Sequence, residues 1–299
     1  MNSAGLLLRQ AVAEGKPLQM VGAINAYSAI LSEKVGFKAI YLSGSGVAAA
    51  SYGLPDLGIT TMNDVVEDIR RITRVTKLPL LVDADTGFGS SGFNIIKTVQ
   101  EFERAGAGGL HIEDQVSAKR CGHRPGKKLV SLEEMVDRIK ACVSGRQDKN
   151  FVIMARTDAI ANEGIEKAII RSRAYIEAGA DMLFPEALTE LSQYQRFTNE
   201  FPNIPILANI TEFGKTPLFT TDELHSVGVS IVLYPLSAFR AQSEATVNVY
   251  KTILTEKTQK SVLPIMQTRE DLYSYLDYYK YENQVDQLFG KQDNDKKDQ

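Results

Sequence analysis

Residues 79–85 read PLLVDAD: a proline, three consecutive apolar residues, then two aspartates separated by one alanine. A short run that is apolar at every position suits a strand covered on both faces, which is the environment inside a parallel sheet. Seven other runs share its character: LQMVGAI (18–24), KAIYLSG (38–44), GGLHIED (108–114), FVIMART (151–157), DMLFPEA (181–187), IPILANI (204–210) and SIVLYPL (230–236). Between them lie segments with apolar residues at helical spacing, such as DVVEDIRRITRV (64–75) and EEMVDRIKACV (133–143). Strands alternating with helices predict parallel βαβ units. Eight is the number that closes a barrel, so the predicted fold is α/β, a (β/α)8 TIM-type barrel.

A weak internal repeat supports this count. VGFKAI, AGAGGL, AGADML and VGVSIV precede or enter strands two, four, six and eight. They put Gly36, Gly106, Gly179 and Gly228 where a helix C-cap needs a left-handed residue. Three of the odd strands begin at or after a proline, Pro17, Pro79 or Pro205. No linker rich in Pro, Gly or Ser divides the chain, so residues 1–289 are expected to form a single domain. The last ten residues, GKQDNDKKDQ (290–299), lack an apolar anchor and are expected to be a disordered tail.

The strand ends carry the functional signal. Strand two runs into Ser43-Gly44-Ser45-Gly46, strand three into Asp83-Ala84-Asp85 and strand four into Glu113-Asp114. Strand five ends in Arg156-Thr157-Asp158, strand six in Glu186, and strand seven in Asn209 with Thr211. In a closed barrel those ends meet at one mouth, where barrel active sites lie. A strand has to end in something polar, but six such ends in succession with carboxylates and an arginine point to chemistry.

Asp83 and Asp85, two apart on a strand, should point to the same side and repel unless a cation joins them. An oxygen-only donor set favours Mg²⁺ or Mn²⁺ over Zn²⁺, with Glu113 on the adjoining strand able to join directly or through water. The competing reading of this pair is helix capping or pairing with lysines. The Ser43–Gly46 turn could offer backbone N–H groups to an anion. Lys119-Arg120-Cys121-Gly122-His123-Arg124 is the densest cluster, on a long loop after strand four. Cationic neighbours lower a thiol's pKa from about 8.5, which fits Cys121 as a proton donor and acceptor, with His123 beside it. The same cations would gather a polyanionic substrate, and Gly122 and Gly126 read as hinges of a closing loop. Cys142 falls on the apolar face of a helix, His111 inside a strand and His225 on a helix surface.

Bulk properties narrow the class. Lys plus Arg total 34 against 37 Asp plus Glu, a net of −3, with no basic stripe, so nucleic acid is not an expected partner. No stretch reaches the ~20 apolar residues needed to cross a bilayer, and the start, MNSAGLLLRQAVAEGKPLQ, has no secretory apolar core. Two cysteines give no disulfide framework and suit a reducing, cytoplasmic setting.

Taken together, SGSG (43–46), LVDADTGFG (81–89), GLHIEDQ (109–115), KRCGHRPGK (119–127), MARTDA (154–159), MLFPEA (182–187) and LANITEFG (207–214) resemble the isocitrate lyase/phosphoenolpyruvate mutase superfamily. Within it they are most similar to the members that cleave 2-methylisocitrate. The motifs occur in order from about Gly5 to Phe289. The resemblance implies a barrel lyase of the methylcitrate cycle of propionate catabolism, splitting a tricarboxylate to pyruvate and succinate. It also implies a homotetramer that exchanges a C-terminal helix, here within Thr268–Phe289.

Carried onto matching positions, Asp83 and Asp85 would bind Mg²⁺, with Asp56 and Glu113 holding its waters. Ser43, Gly44 and Ser45 would hold the pyruvate-like end, and Cys121 and Gly122 lie in the gating loop. Arg156, Glu186, Asn209, Ile210, Thr211, Arg240 and Arg269 would contact substrate, and Tyr41 is a candidate base. Gly126 departs from the asparagine that many relatives have. Isocitrate lyases share the Lys-x-Cys-Gly-His core but are usually longer, with an inserted helical region. Phosphonopyruvate-type mutases and hydrolases share the metal pair but usually lack the cysteine loop.

Overall fold

The computed structural model describes residues 2–124 and 126–290. Its eight strands are β1 (Leu18–Gly22), β2 (Ile40–Leu42), β3 (Leu80–Asp83), β4 (Gly109–Glu113), β5 (Val152–Thr157), β6 (Met182–Pro185), β7 (Leu207–Asn209) and β8 (Ile231–Tyr234). All pair in parallel, in the order β6-β5-β4-β3-β2-β1-β8-β7. A single parallel bridge, Leu183 to Ile206, joins the two ends of that order and closes the barrel. Each strand falls within its expected run. The sampled helices overlap their expected segments, at Met62–Thr73 and Leu132–Gly145.

Side-chain alternation divides each strand into two faces. Ile40, Leu42, Leu80, Val82, Leu110, Ile112, Ile153 and Ala155 face the surrounding helices in one buried cluster. Met20, Tyr41, Leu81, Val152, Met154, Met182, Phe184, Leu207, Ile231 and Leu233 fill the barrel in another. The N-terminal helix (Ala4–Glu14) adds Leu8, Ala11 and Val12 to the interior cluster, so it plugs one end. Burying Leu8 alone is worth about 1.5–3 kcal/mol relative to exposure.

The four expected helix-terminating glycines all have positive φ: Gly36 at 110°, Gly106 at 97°, Gly179 at 107° and Gly228 at 83°. Left-handed backbone there lets each helix stop and turn into the next strand.

The chain forms two compact units, one reaching Ala241 and one beginning at Gln242. The first holds the barrel. The second holds most of the helix Ser237–Glu256, a 3-10 turn over Lys260–Ile265, and the helices Arg269–Tyr275 and Tyr278–Phe289. Within it Tyr273 stacks on Tyr278 at 4.2 Å between ring centroids. Of the expected tail only Gly290 lies within the described residues.

Candidate active site

The site is the next pleat of the barrel interior. Counting two residues on from the interior side chains gives Asp83 after Leu81, Arg156 after Met154, Glu186 after Phe184 and Asn209 after Leu207. Register aligns the layer: Asp83 lies beside His111, and Glu113 beside Arg156. Hydrophobic packing therefore ends, and polar chemistry begins, at one level of the barrel. Tyr41, Ser43, Ser45, Asp56, Asp83, Cys121, Gly122, His123, Arg156, Glu186, Asn209, Thr211 and Arg240 line one cavity of about 450 Å³ at that level.

Asp83 and Asp85 meet by a different route from the one alternation predicts. β3 ends at Asp83, and Asp85 takes a left-handed φ of 47°. The turn sends the Asp85 N–H back to Asp83 Oδ1 at 3.0 Å. Asp83 Oδ2 accepts the Gly44 N–H at 3.1 Å, and the Tyr41 hydroxyl lies 3.4 Å from it. The expected anion-binding turn at Ser43–Gly46 thus already gives one N–H to a protein carboxylate. A side chain at Gly44 would fill the space between the two aspartates, because its Cβ would lie 3.0 Å from Asp85 Oδ1 and 3.2 Å from Asp83 Oδ2.

Lys119 is not a free substrate-gathering charge. Its buried ammonium lies 2.5 Å from Asp85 and 2.7 Å from Asp56, so the alternative of aspartates paired with a lysine is realised here. Burial alone would raise both aspartates. At Asp83 it is outweighed by His111, Lys119 and Arg156, which hold the carboxyl below the usual range. Asp85 is pushed up to about 7 by burial and by the charges of Asp83 and Asp56, against the pull of Lys119. His111 is itself driven down to about 4, chiefly by burial, so at neutral pH the two cations act on Asp83.

These carboxylates suit a hard divalent ion. Among the described residues no three His, Cys, Asp or Glu side chains form a ready-made metal cage. Mg²⁺ does not need one, since it binds through one or two carboxylates and keeps several waters. Glu113 supplies the second observation: it is 1% exposed and its Oε1 has no hydrogen-bond partner. Such an oxygen is suited to take a metal-held water.

Arg156 anchors the opposite wall. Its guanidinium lies 3.4 Å from Glu113, 3.2 Å from Glu186 and 3.0 Å from Asp158, and it sits over the Phe184 ring at 5.1 Å. Against the cost of burial, Arg156 and His123 hold Glu186 down to about 2. His123 Nε2 is 3.1 Å from Glu186, while its Nδ1 accepts the Lys215 N–H at 3.0 Å. That acceptor role places the ring proton on Nε2, facing the carboxylate. His123 therefore pins the loop to Glu186.

Cys121 is exposed at the cavity edge, and Cys142 is buried with its thiol pushed up to about 12 by desolvation. His225 is exposed on its helix. Gly126 has a φ of 79°, as a turning point needs. Gly122 has a different reason: a Cβ there would fall onto Arg156 and lie 2.6 Å from Glu186, so glycine permits close packing. Ile210 belongs to the helix-facing core, where its N–H donates to Leu233 O at 2.8 Å. Arg240 lies 3.6 Å from Glu212, and Arg269 begins a helix of the second unit.

Three side chains have roles that the sequence did not disclose. His111 meets the Tyr41 hydroxyl at 2.9 Å, while Phe184 and Glu212 line the cavity. Continuing the two-residue period back from Glu186 would have found Phe184.

Comparison with known proteins places this geometry. Residues 8–254 match the phosphoenolpyruvate phosphomutase family. The 2-methylisocitrate lyase of Salmonella typhimurium is 62% identical over 289 residues, covering 97% of this chain and 98% of that one. The chain belongs to the 2-methylisocitrate lyase family. The same lyase scaffold recurs in solved structures: 2,3-dimethylmalate lyase aligns with a TM-score of 0.88 at 32% identity, covering 97% of this chain and 96% of that one. A phosphonopyruvate hydrolase solved with oxalate and Mg²⁺ aligns at 0.83 and 29% identity, covering 96% of this chain and 99% of that one. No helix among the described residues of this lyase family member is long and apolar enough to cross a membrane.

Proposed function

We propose that this protein is a Mg²⁺-dependent, cytoplasmic lyase that cleaves 2-methylisocitrate to pyruvate and succinate. The observation that carries the reading is the convergence of Cys121, Arg156 and Asp83 on one cavity, with Asp85 bonded back to Asp83 beside it, in a chain 62% identical to a 2-methylisocitrate lyase. Asp83 and Asp85 would hold the ion, with Asp56 and Glu113 on its waters; Mn²⁺ fits the same oxygen donors. When bound, the ion supplies Lewis acidity that eases loss of the substrate's hydroxyl proton.

The protein's own groups do the rest. Ser43, Gly44 and Ser45 hold the pyruvate-like end, and Asn209, Thr211 and Arg240 hold the remaining carboxylates, while Glu186, paired with Arg156 and His123, borders the substrate. Burial keeps the Tyr41 phenol well above its usual value, so it works as a protonated relay between the substrate hydroxyl and His111 or Asp83, not as a free phenolate. As the C2–C3 bond breaks, its electron pair moves onto the succinate fragment as an aci-carboxylate. Arg156 faces that developing charge, and the Cys121 thiol gives the carbon its proton. The loop carrying Cys121 shields the reactive fragment from bulk water.

A homotetramer that exchanges a helix within Thr268–Phe289 would deliver Arg269 to a neighbour's site. That reading is supported by the apolar side chains the helix leaves exposed: Tyr281 (67%), Leu288 (67%) and Phe289 (78%).

The test supplies 2-methylisocitrate, isocitrate and phosphonopyruvate separately with Mg²⁺. Pyruvate and succinate from the first substrate, at a kcat/KM well above the other two, is the expected result. Preferred release of glyoxylate from isocitrate, or of phosphoenolpyruvate from phosphonopyruvate, would overturn the assignment.

A further inference from the structure

Among the described residues no side-chain hydrogen bond or ion pair anchors Cys121 itself, yet the backbone on each side of it is gripped. Before it, the buried Gln115 side chain accepts the Arg120 N–H at 3.0 Å and donates to the Arg120 carbonyl at 2.9 Å. One amide side chain thus satisfies both backbone groups of the preceding residue, as a strand partner would. After it, the Lys127 ammonium donates to the Gly122 carbonyl at 2.6 Å. The same ammonium pairs with Asp158 at 2.7 Å, and the two side chains are 1% and 0% exposed.

Both gripping residues stand on fixed ground. Gln115 forms a backbone bridge with Leu129, and the Val116 N–H donates to the Lys128 carbonyl at 2.9 Å. The Lys127 carbonyl is itself held by Asn162 at 2.8 Å. The two ends of the loop are therefore tied to each other and to β5's end, and the gripping side chains reach inward from there. Asp158 adds a second connection, because its carboxylate also receives Arg156 Nε at 3.0 Å. Neither Gln115 nor Lys127 lines the cavity.

We propose that Gln115 and Lys127 are positioning residues that fix Cys121 over the substrate, and that Lys127, through Asp158, ties that placement to the orientation of Arg156. The inference rests on the reading of Cys121 as the acid. A charged hydrogen bond to a carbonyl in a dry site is strong and directional, and a small error in thiol placement costs rate without costing ground-state binding.

The experiment compares Lys127→Met, Lys127→Arg and Gln115→Met with the wild-type protein. It measures kcat and KM for 2-methylisocitrate, thermal midpoint, and alkylation of Cys121 by iodoacetamide with and without Mg²⁺, pyruvate and succinate. Cys142, at 1% exposure, does not compete for reagent. Lys127→Met is expected to lose roughly ten- to a hundredfold in kcat, the size of losing a hydrogen bond to a charged group, while KM moves little. Ligand protection of Cys121 is expected to weaken in Lys127→Met and Gln115→Met, and Lys127→Arg to recover most of both readouts.

Wild-type kcat and protection in Lys127→Met would overturn the proposal. So would a loss of activity that follows only a lowered midpoint, with protection unchanged. Alkylation reports where the thiol sits and not what it does. Failure of the acid reading would instead appear as undiminished turnover in Cys121→Ala, with the protection result intact.

Discussion

Turnover of a Cys121→Ala variant is expected to fall by about 10³-fold, the middle to upper range for removing a positioned general acid. Cys121 is exposed at the cavity edge, so the substitution opens no core void and the fold should keep its thermal midpoint. Mg²⁺ binding, measured calorimetrically, should also be preserved, because the aspartates stand at the end of β3 and in the turn after it and take their protein partners from Gly44, Tyr41 and Lys119. Cys121→Ser keeps a proton on a side chain of similar size but makes it a far weaker acid, so it should rescue little. Near-normal turnover in either variant would remove the cysteine from the chemistry.

Arg156→Met is the second large effect, and it acts on stability as well as rate. The guanidinium is almost fully enclosed and touches Glu113, Glu186 and Asp158. Removing it takes from Glu113 its ion-pair partner and from Glu186 and Asp158 one of two, at a cost of about 3–5 kcal/mol. A lowering of the thermal midpoint by about 6–10 °C follows for a chain of this size. The rate should fall by about 10²–10³-fold in addition, from loss of charge stabilisation in the cavity. Arg156→Lys should recover part of the stability and little of the rate, since one ammonium cannot reproduce a planar fork spanning three acceptors. An unchanged midpoint in Arg156→Met would show that the enclosed ion cluster does not hold the barrel mouth together.

The barrel was legible because its strands are apolar on both faces and its helix ends carry glycines that the backbone uses at positive φ. Much of the candidate site followed from the same regularity. Arg156, Glu186 and Asn209 are simply the next inward residues after Met154, Phe184 and Leu207. What alternation could not give was the turn after β3. Asp85 reaches its partner through a left-handed residue, and no period specifies that.

Charge destinations were equally hidden. Lys119 does line the cavity, but its ammonium is held between Asp56 and Asp85, a tertiary pairing of residues far apart in the chain. Lys127 and Asp158, 31 residues apart, meet for the same reason. Gly122 shows that a glycine in a mobile-looking loop can be required by packing. Composition alone does not separate those two uses.

Cleavage in D₂O tests the assignment of Cys121 as acid most directly. The exposed thiol exchanges with solvent before each turnover, so one deuteron should reach the succinate carbon from a fixed side. The expected product is monodeuterated succinate of a single configuration. An equal mixture of both configurations would mean that bulk water, and not a residue held over one face, supplies the proton.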